Sequence, residues 1–220
     1  KLAFPSKLEL NVPEENLTND LPEKIKLNLL EDNEEFIVIE KPPGLVVHPG
    51  AGNRSGTLLN ALLHSFPELK KLPRAGIVHR LDKDTSGLMV VARNEKSLSD
   101  LSNQISNRSA KRVYEAFTVG KIDKSGKVDA PIGRHPQNRQ KQAVRSTGRE
   151  AVSHFKVLQT FGSYSHIQVT LETGRTHQIR VHMNYLGYPL IGDPLYGRRR
   201  RFAKNTCLLY TSDAADDLGR

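Results

Sequence analysis

The chain is 220 residues long, 37% hydrophobic and 26% charged, with 33 Lys and Arg, 24 Asp and Glu, and one cysteine, Cys207. This is the profile of a soluble chain of one large or two small domains, with enough bulk for a core. No apolar run approaches the roughly 18 residues of a membrane helix, and no basic-then-apolar secretory leader stands at the start. A lone cysteine excludes an internal disulfide framework and a cysteine-based zinc site, and fits a reducing, cytoplasmic setting.

Charge is unevenly distributed. Residues 1–40 carry 4 Lys and Arg against 10 Asp and Glu, whereas residues 41–204 carry 28 against 11 and residues 205–220 carry 1 against 3. The cationic body points to a polyanionic partner; the plainer alternative is a solvated basic surface.

In chain order, residues 1–24 are rich in proline and acid and read as the tail of an earlier element followed by a linker. EFIVIEKPPG (35–44) is a strand stopped by Pro42, Pro43 and Gly44; LVVH (45–48) resumes it before the loop PGAGNRSG (49–56). TLLNALLHSF (57–66) places Leu58, Leu59, Leu62, Leu63 and Phe66 on one helical face. LMVVAR (88–93) is a strand, and EKSLSDLSNQISN (95–107) a helix burying Leu98, Leu101 and Ile105. In KRVYEAFTVG (111–120), Val113, Phe117 and Val119 share one strand face and Tyr114 the other. Residues 150–161 and 164–172 form a hairpin turning near Gly162 and Ser163. TGRTHQIRVHMNYLG (173–187) spaces Ile179, Met183 and Leu186 as a helix ended by Gly187. The predicted fold is α+β, with a mixed, mostly antiparallel sheet and flanking helices.

Several chemical schemes fail on spacing. His177 and His182 lie five apart rather than four, so they diverge around a helix and do not form a zincin pair. There is no GxxxxGK[ST] and no GxGxxG. His79, Asp82 and Ser86 carry the names of a hydrolase triad, but they are too close in sequence to align nucleophile, base and orienter, and no GxSxG accompanies them. What survives is Asp82, a carboxylate in HRLDKDTSGL (79–88) directly before an apolar strand. In a cleft beside a guanidinium its charged form is favoured, which suits a nucleophile or general base. The plain alternative is that Asp82 pairs with Arg80 or Lys83, or caps a turn.

HRLDKDTSGL resembles the signature of the RluA-type pseudouridine synthases. IEKPPGLVVHPG (39–50) is similar to that family's first motif, KRVYEAFTVG to its tyrosine-bearing strand, and TGRTHQIRVHMNYLGYPLIGDPLYG (173–197) to its arginine-bearing segment. The four motifs stand in family order across roughly residues 25–200, with the nearest likeness to the RluD-like branch, which acts on large-subunit ribosomal RNA. The resemblance implies that Asp82 is the catalytic residue, acting at C1′ or on the 2′ proton while the uridine N1–C1′ bond is exchanged for C5–C1′. It implies that Tyr114 packs on the flipped uracil, that Arg175 pairs with Asp82, and that Arg80 fills the gap left by the extruded nucleotide. It also implies no cofactor and no metal, an RNA partner and no membrane, and a monomer.

The segment RHPQNRQKQAVRSTGR (134–149) has five Lys and Arg and no acid. It reads as an RNA-gripping loop through Arg139, Lys141 and Arg145, the alternative being a solvated excursion. His48 reads as a turn residue and His79 as a hydrogen-bonded support. Residues 1–24 read as the remnant of an S4-like domain and linker, and 25–204 as an incomplete catalytic domain. The segment 205–220, in which CLLYTSDAADDLGR resembles translated sequencing adapter, reads as an unstructured foreign tail. A catalytically silent RNA-binding module on the same fold is the competing function.

Overall fold

The computed structural model describes residues 20–50 and 52–197, and the backbone of residues 210–212. Most of the remnant assigned to 1–24, the arginine run at 198–201, and 205–220 apart from that short backbone piece lie outside the described residues.

Strand β1 (Asn28–Asp32) and strand β2 (Phe36–Lys41) pair antiparallel. All five residues of β1 are exposed. With no buried face it has no alternation to betray it, and ladder hydrogen bonds to β2 alone make it a strand. Ile37, Val38 and Ile39 of β2 are all buried, so both faces of this strand are covered, which accounts for its unbroken apolar run. The strand does not resume at 45–48 as expected: Val46 makes only an isolated bridge to Thr57.

Helix α1 (Leu58–Ser65) begins at Thr57, which exchanges side-chain and backbone hydrogen bonds with Asn60 in a capping box, and it buries Leu58, Leu59, Leu62 and Leu63. Two short 3-10 turns, Pro67–Lys71 and Pro73–Gly76, lead to the segment carrying Asp82. Strand β3 (Gly87–Ala92) then pairs with β2, completing a three-stranded sheet in the order β1-β2-β3. Helix α2 (Glu95–Ser106) is capped by Asn94; Leu101 is buried, whereas Leu98 and Ile105 are only half-buried.

The second half is a larger antiparallel sheet. Its members are β4 (Val113–Val119), β5 (Gly126–Asp129), β8 (Val152–Phe161), β9 (Tyr164–Leu171) and the short β10 (Tyr210–Ser212), in the order β10-β4-β9-β8-β5. Between β5 and β8, β6 (Ile132–Arg134) and β7 (Gln142–Val144) form a hairpin of their own. Thus part of the expected unstructured tail adds a strand beside β4. On β4 the alternation holds, with Tyr114, Ala116 and Thr118 on the buried face. Helix α3 (Gln178–Tyr185) buries Ile179 and Met183, and Gly187 follows in left-handed backbone (φ 87°). The architecture is α+β with antiparallel ladders.

One core joins the two sheets. Ile37, Ile39, Met89 and Val91 of the first share a buried apolar cluster with Tyr114, Ala116, Ile167 and Val169 of the second, and with Ile179 and Met183 of α3. The Asp82 segment lies at this junction, and its approach is conformationally unusual. Arg74, Ala75 and Gly76 all adopt left-handed backbone, at φ 52°, 51° and 76°. A non-glycine residue there costs on the order of 1 kcal/mol and persists only where its surroundings fix it. Gly76 is required on two counts, because a Cβ would also stand 2.0 Å from the Ala92 carbonyl oxygen of β3. Gly76→Ala is therefore expected to destabilise the fold by about 2–4 kcal/mol, the sum of left-handed strain and a backbone clash. Denaturant unfolding measures it; a loss below about 0.5 kcal/mol contradicts this packing.

Candidate active site

Asp82 is placed by backbone contacts on both sides. Upstream, Ile77 bridges to Val91 of β3, and His79 Nε2 accepts the Val90 backbone N–H at 3.1 Å. Leu81 is buried, and downstream the Thr85 N–H donates to the Asp82 carbonyl at 3.1 Å. The next carbonyl, that of Lys83, accepts from Gly44 N–H (2.8 Å) and from Lys41 Nζ (3.0 Å). Lys41 is fully buried and spends its other two ammonium donors on the carbonyls of Pro42 and Leu45. Burial pulls its pKa down to about 8, opposed by the charges of Asp84 and Asp82. The Lys41-Pro42-Pro43-Gly44 stretch is thus stapled to the Asp82 segment, a role that alternation and turn signals do not reveal.

The Asp82 side chain is 19% exposed and lines a cleft of about 290 Å³. Connecting segments of the first half and strands of the second sheet contribute walls: His48, Arg80 and Leu81 from the former, Tyr114 of β4 and Leu171 of β9 from the latter, with Arg175 to Arg180 around the start of α3. Among the described residues five arginines line it (Arg74, Arg80, Arg112, Arg175, Arg180), and Asp82 is its one acidic residue. Such a cleft attracts phosphates and holds one carboxylate among cations. His48, expected in a turn, faces this cleft, and its buried Nε2 has no hydrogen-bond partner among the described residues. Burial, then the charges of Arg80 and Arg74, pushes its pKa down.

The guanidinium on Asp82 is not that of Arg175. Arg180 Nη1 donates to Asp82 Oδ2 at 3.1 Å, while its Nε and Nη2 grip Asp193 at 2.8 and 2.9 Å. Arg175 directs its Nε to the Glu150 carbonyl (3.0 Å). The reason is helical geometry. Arg175 precedes α3 and is tied down by Gln178, whose Oε1 accepts from both Arg175 N–H (2.9 Å) and Thr173 Oγ1 (2.8 Å). Arg180, on the first turn of α3, projects toward Asp82 and Asp193. Asp82 pairs with neither Arg80 nor Lys83.

Asp193 is fully buried at its side chain, and its Oδ1 also accepts from the backbone N–H groups of Leu195 and Tyr196. Burial raises its pKa, but the Arg180 hydrogen bonds and charge, with those two N–H groups, carry it below the usual carboxylate range. For Arg180 burial disfavours the charge, and the hydrogen bonds and charges of Asp193 and Asp82 outweigh it, so its pKa rises.

The remaining expected residues divide. Tyr114 is buried in the cleft wall and Arg80 is exposed at the cleft. Arg139, Lys141 and Arg145 belong to the β6-β7 hairpin region; Arg139 and Arg145 are exposed, but Lys141 is half-buried with its Nζ 5.8 Å from the Tyr196 ring centre. Residues missed by sequence reasoning are Lys41, His177, Gln178, Arg180, Asp193 and Tyr196. All but Lys41 sit inside TGRTHQIRVHMNYLGYPLIGDPLYG, where two arginines five apart offer no local rule for choosing between them. Among the described residues no group of three or more His, Cys, Asp or Glu is placed to hold a metal ion.

The RNA pseudouridylate synthase family model matches residues 35–185. Ribosomal large subunit pseudouridine synthase D of Pseudomonas aeruginosa is 53% identical over 196 residues, covering 89% of this chain and 61% of that protein. The protein of the same name from Xanthomonas campestris pv. campestris is 51% identical over 197 residues, covering 90% and 60%. Human RNA pseudouridylate synthase domain containing 1 superposes with a TM-score of 0.69 at 24% identity, over 85% of this chain and 76% of that one, and shares the fold. Human RNA pseudouridylate synthase domain containing 4 gives 0.62 at 26%, over 79% and 70%. The chain belongs to the RNA pseudouridylate synthase family. It spans about three-fifths of the length of these two bacterial relatives.

His79 supports the site from behind, and its titration tests that role. Burial, with the Arg112 charge, holds its pKa down to about 4 against an ordinary 6.5. The unfolded chain therefore binds more protons between those values, so stability rises with pH through this window and is lost as pH falls from 6.5 toward 4. His79→Gln keeps an acceptor for the Val90 N–H but does not titrate. The loss of unfolding free energy between pH 7 and about 4.5 should shrink by about 1–2 kcal/mol in this variant, allowing for the partial exposure of His79. An unchanged pH profile contradicts a neutral, partly exposed imidazole held below its ordinary pKa.

Proposed function

We propose that the chain carries the catalytic centre of an RNA pseudouridine synthase that isomerises uridines of large-subunit ribosomal RNA, in the cytoplasm and without a cofactor. One observation carries this reading: Asp82 stands in an arginine-lined cleft with Oδ2 bound to Arg180, while Oδ1 has no hydrogen-bond partner among the described residues. A carboxylate fixed by one oxygen presents the other to a substrate. The family membership, and relatives whose names specify the ribosomal large subunit, support the substrate class.

In the reaction the uracil N1–C1′ bond breaks, the base turns, a C5–C1′ bond forms and the C5 proton is removed. Asp82 Oδ1 serves as the group that attacks C1′ or takes the 2′ proton, and both routes need an unprotonated oxygen in the cleft. In this reading the Tyr114 ring packs on the uracil and its phenol assists proton removal from C5. Neither C1′ nor C5 is reachable in a stacked helix, so the nucleotide must be extruded, at a cost of a few kcal/mol. Arg80, exposed at the cleft, fills the gap left behind, while Arg139, Lys141 and Arg145 engage the backbone beside it. Arg180 replaces Arg175 as the holder of Asp82.

Asp82→Asn should abolish pseudouridine formation in a large-subunit RNA fragment while RNA affinity stays within about twofold, because the amide preserves shape but is neither nucleophile nor base. Asp84→Asn should retain substantial activity. Turnover by Asp82→Asn near the wild-type rate defeats the proposal. If the chain itself binds RNA but forms no product, the silent RNA-binding reading replaces it. Separately, Arg139→Gln with Arg145→Gln should reduce the slope of log affinity against log salt by roughly 0.7–0.9 for each phosphate no longer engaged. A constant slope leaves the hairpin as solvated surface.

A further inference from the structure

His177 is held in a setting that packing alone does not require. It occupies left-handed backbone (φ 57°) immediately before α3, with no side-chain cap on the helix. Its Nδ1 lies 2.8 Å from the Tyr196 hydroxyl, with the two rings edge to face at 5.6 Å. Its Nε2 lies 3.9 Å from Asp82 Oδ2, the oxygen that also receives Arg180.

The hydrogen-bond inventory fixes where the imidazole proton sits. The Tyr196 oxygen accepts the Gln142 backbone N–H at 2.7 Å, so that bond leaves the hydroxyl proton to be donated elsewhere. His177 Nδ1 is its one acceptor among the described residues. A neutral imidazole that accepts at Nδ1 carries its proton at Nε2, the nitrogen facing Asp82. Burial first, and the Arg180 and Arg80 charges, outweigh the pull of Asp82 and Asp193 and keep the ring's pKa below its ordinary value, which favours this neutral form. Gln142 opens β7, so the same hydroxyl ties the basic hairpin to the ring beside Asp82. Arg180 lies 5.1 Å above the Tyr196 ring and Lys141 5.8 Å from it, so two cations pack against the tyrosine.

We propose that His177 is a positioning residue that donates its Nε2–H to Asp82 Oδ2 in the RNA-bound site, and that Tyr196 relays the position of the basic hairpin to it. The present separation needs to close by about 1 Å to reach hydrogen-bond range, a tightening common when a site binds its substrate. Two donors on Oδ2 would then leave Oδ1 as the oxygen aimed at the nucleotide. RNA seated on the hairpin acts on Asp82 through Gln142, Tyr196 and His177. This inference rests on Asp82 being the reacting carboxylate.

Three variants test it with a large-subunit RNA fragment under single-turnover conditions. His177→Asn removes the imidazole and suits left-handed backbone; Tyr196→Phe is nearly isosteric. Each should slow pseudouridine formation about ten- to a hundredfold, the worth of one hydrogen bond to a charged group, with RNA affinity within about twofold. The double variant should be no slower than the slower single one. Imidazole ¹⁵N spectra should show His177 as the Nε2–H tautomer in the wild type, with a mixed tautomer in Tyr196→Phe. Wild-type rates in His177→Asn while Asp82→Asn is inactive overturn the inference and leave the catalytic reading standing. So do multiplying losses in the double variant, or a tautomer that Tyr196→Phe does not change. Activity surviving in Asp82→Asn overturns both.

Discussion

A single guanidinium organises this site. Arg180, on the first turn of α3, binds Asp193 with two nitrogens and Asp82 with the third, while only 6% of its side chain is exposed. Three elements distant in sequence converge there: the segment before β3, the helix after β9, and the turn that follows Leu190. A buried ion cluster is not a strong source of net stability, because desolvation offsets most of the attraction. Removing one member, however, leaves an uncompensated charge and costs about 3–5 kcal/mol. The triad therefore acts chiefly as a geometric constraint. With the other two nitrogens of Arg180 held by Asp193, Asp82 receives one guanidinium donor on one oxygen, which fixes the position of Oδ2 in the cleft.

The surrounding fold sustains that constraint from the backbone outward. Left-handed residues 74–76 turn the chain tightly against β3, and the Lys41 ammonium clasps the far side through the Lys83 carbonyl. Gln178, buried and bonded to Thr173, Arg175, Val152 and Ser153, fixes the entry to α3 against β8. Arg74 and Gln178 also line the cleft, but none of these groups touches the Asp82 carboxylate. They remove freedom from Asp82, which is the physical content of preorganisation around a single carboxylate in a cleft.

Much of this was legible in the sequence, for identifiable reasons. Strong periodicity exposed α1, the β8-β9 hairpin and α3, a continuous apolar run exposed β3, and Gly162 and Gly187 punctuated the chain. Asp82 stood out because a charged decapeptide abuts an apolar strand. Strand β1 was invisible because none of its residues is buried. The 134–149 segment read as a loop because β6 and β7 have only three residues each and pair chiefly with one another. The choice between Arg175 and Arg180 was undecidable locally: it depends on the start of α3, which Gln178 and the left-handed His177 determine through tertiary contacts. Asp193 and Tyr196 carried no periodic signal, since they act through a turn.

Everything in this site follows from Arg180, not Arg175, holding Asp82. The most direct measurement compares single-turnover pseudouridine formation in Arg180→Lys and Arg175→Lys, with unfolding midpoints recorded for both. Lysine keeps the charge but cannot bridge two carboxylates through a planar fork. A folded Arg180→Lys should be slower by about a hundredfold or more, and Arg175→Lys within about fivefold of wild type. The reverse order of effects, in proteins of equal stability, would contradict that assignment.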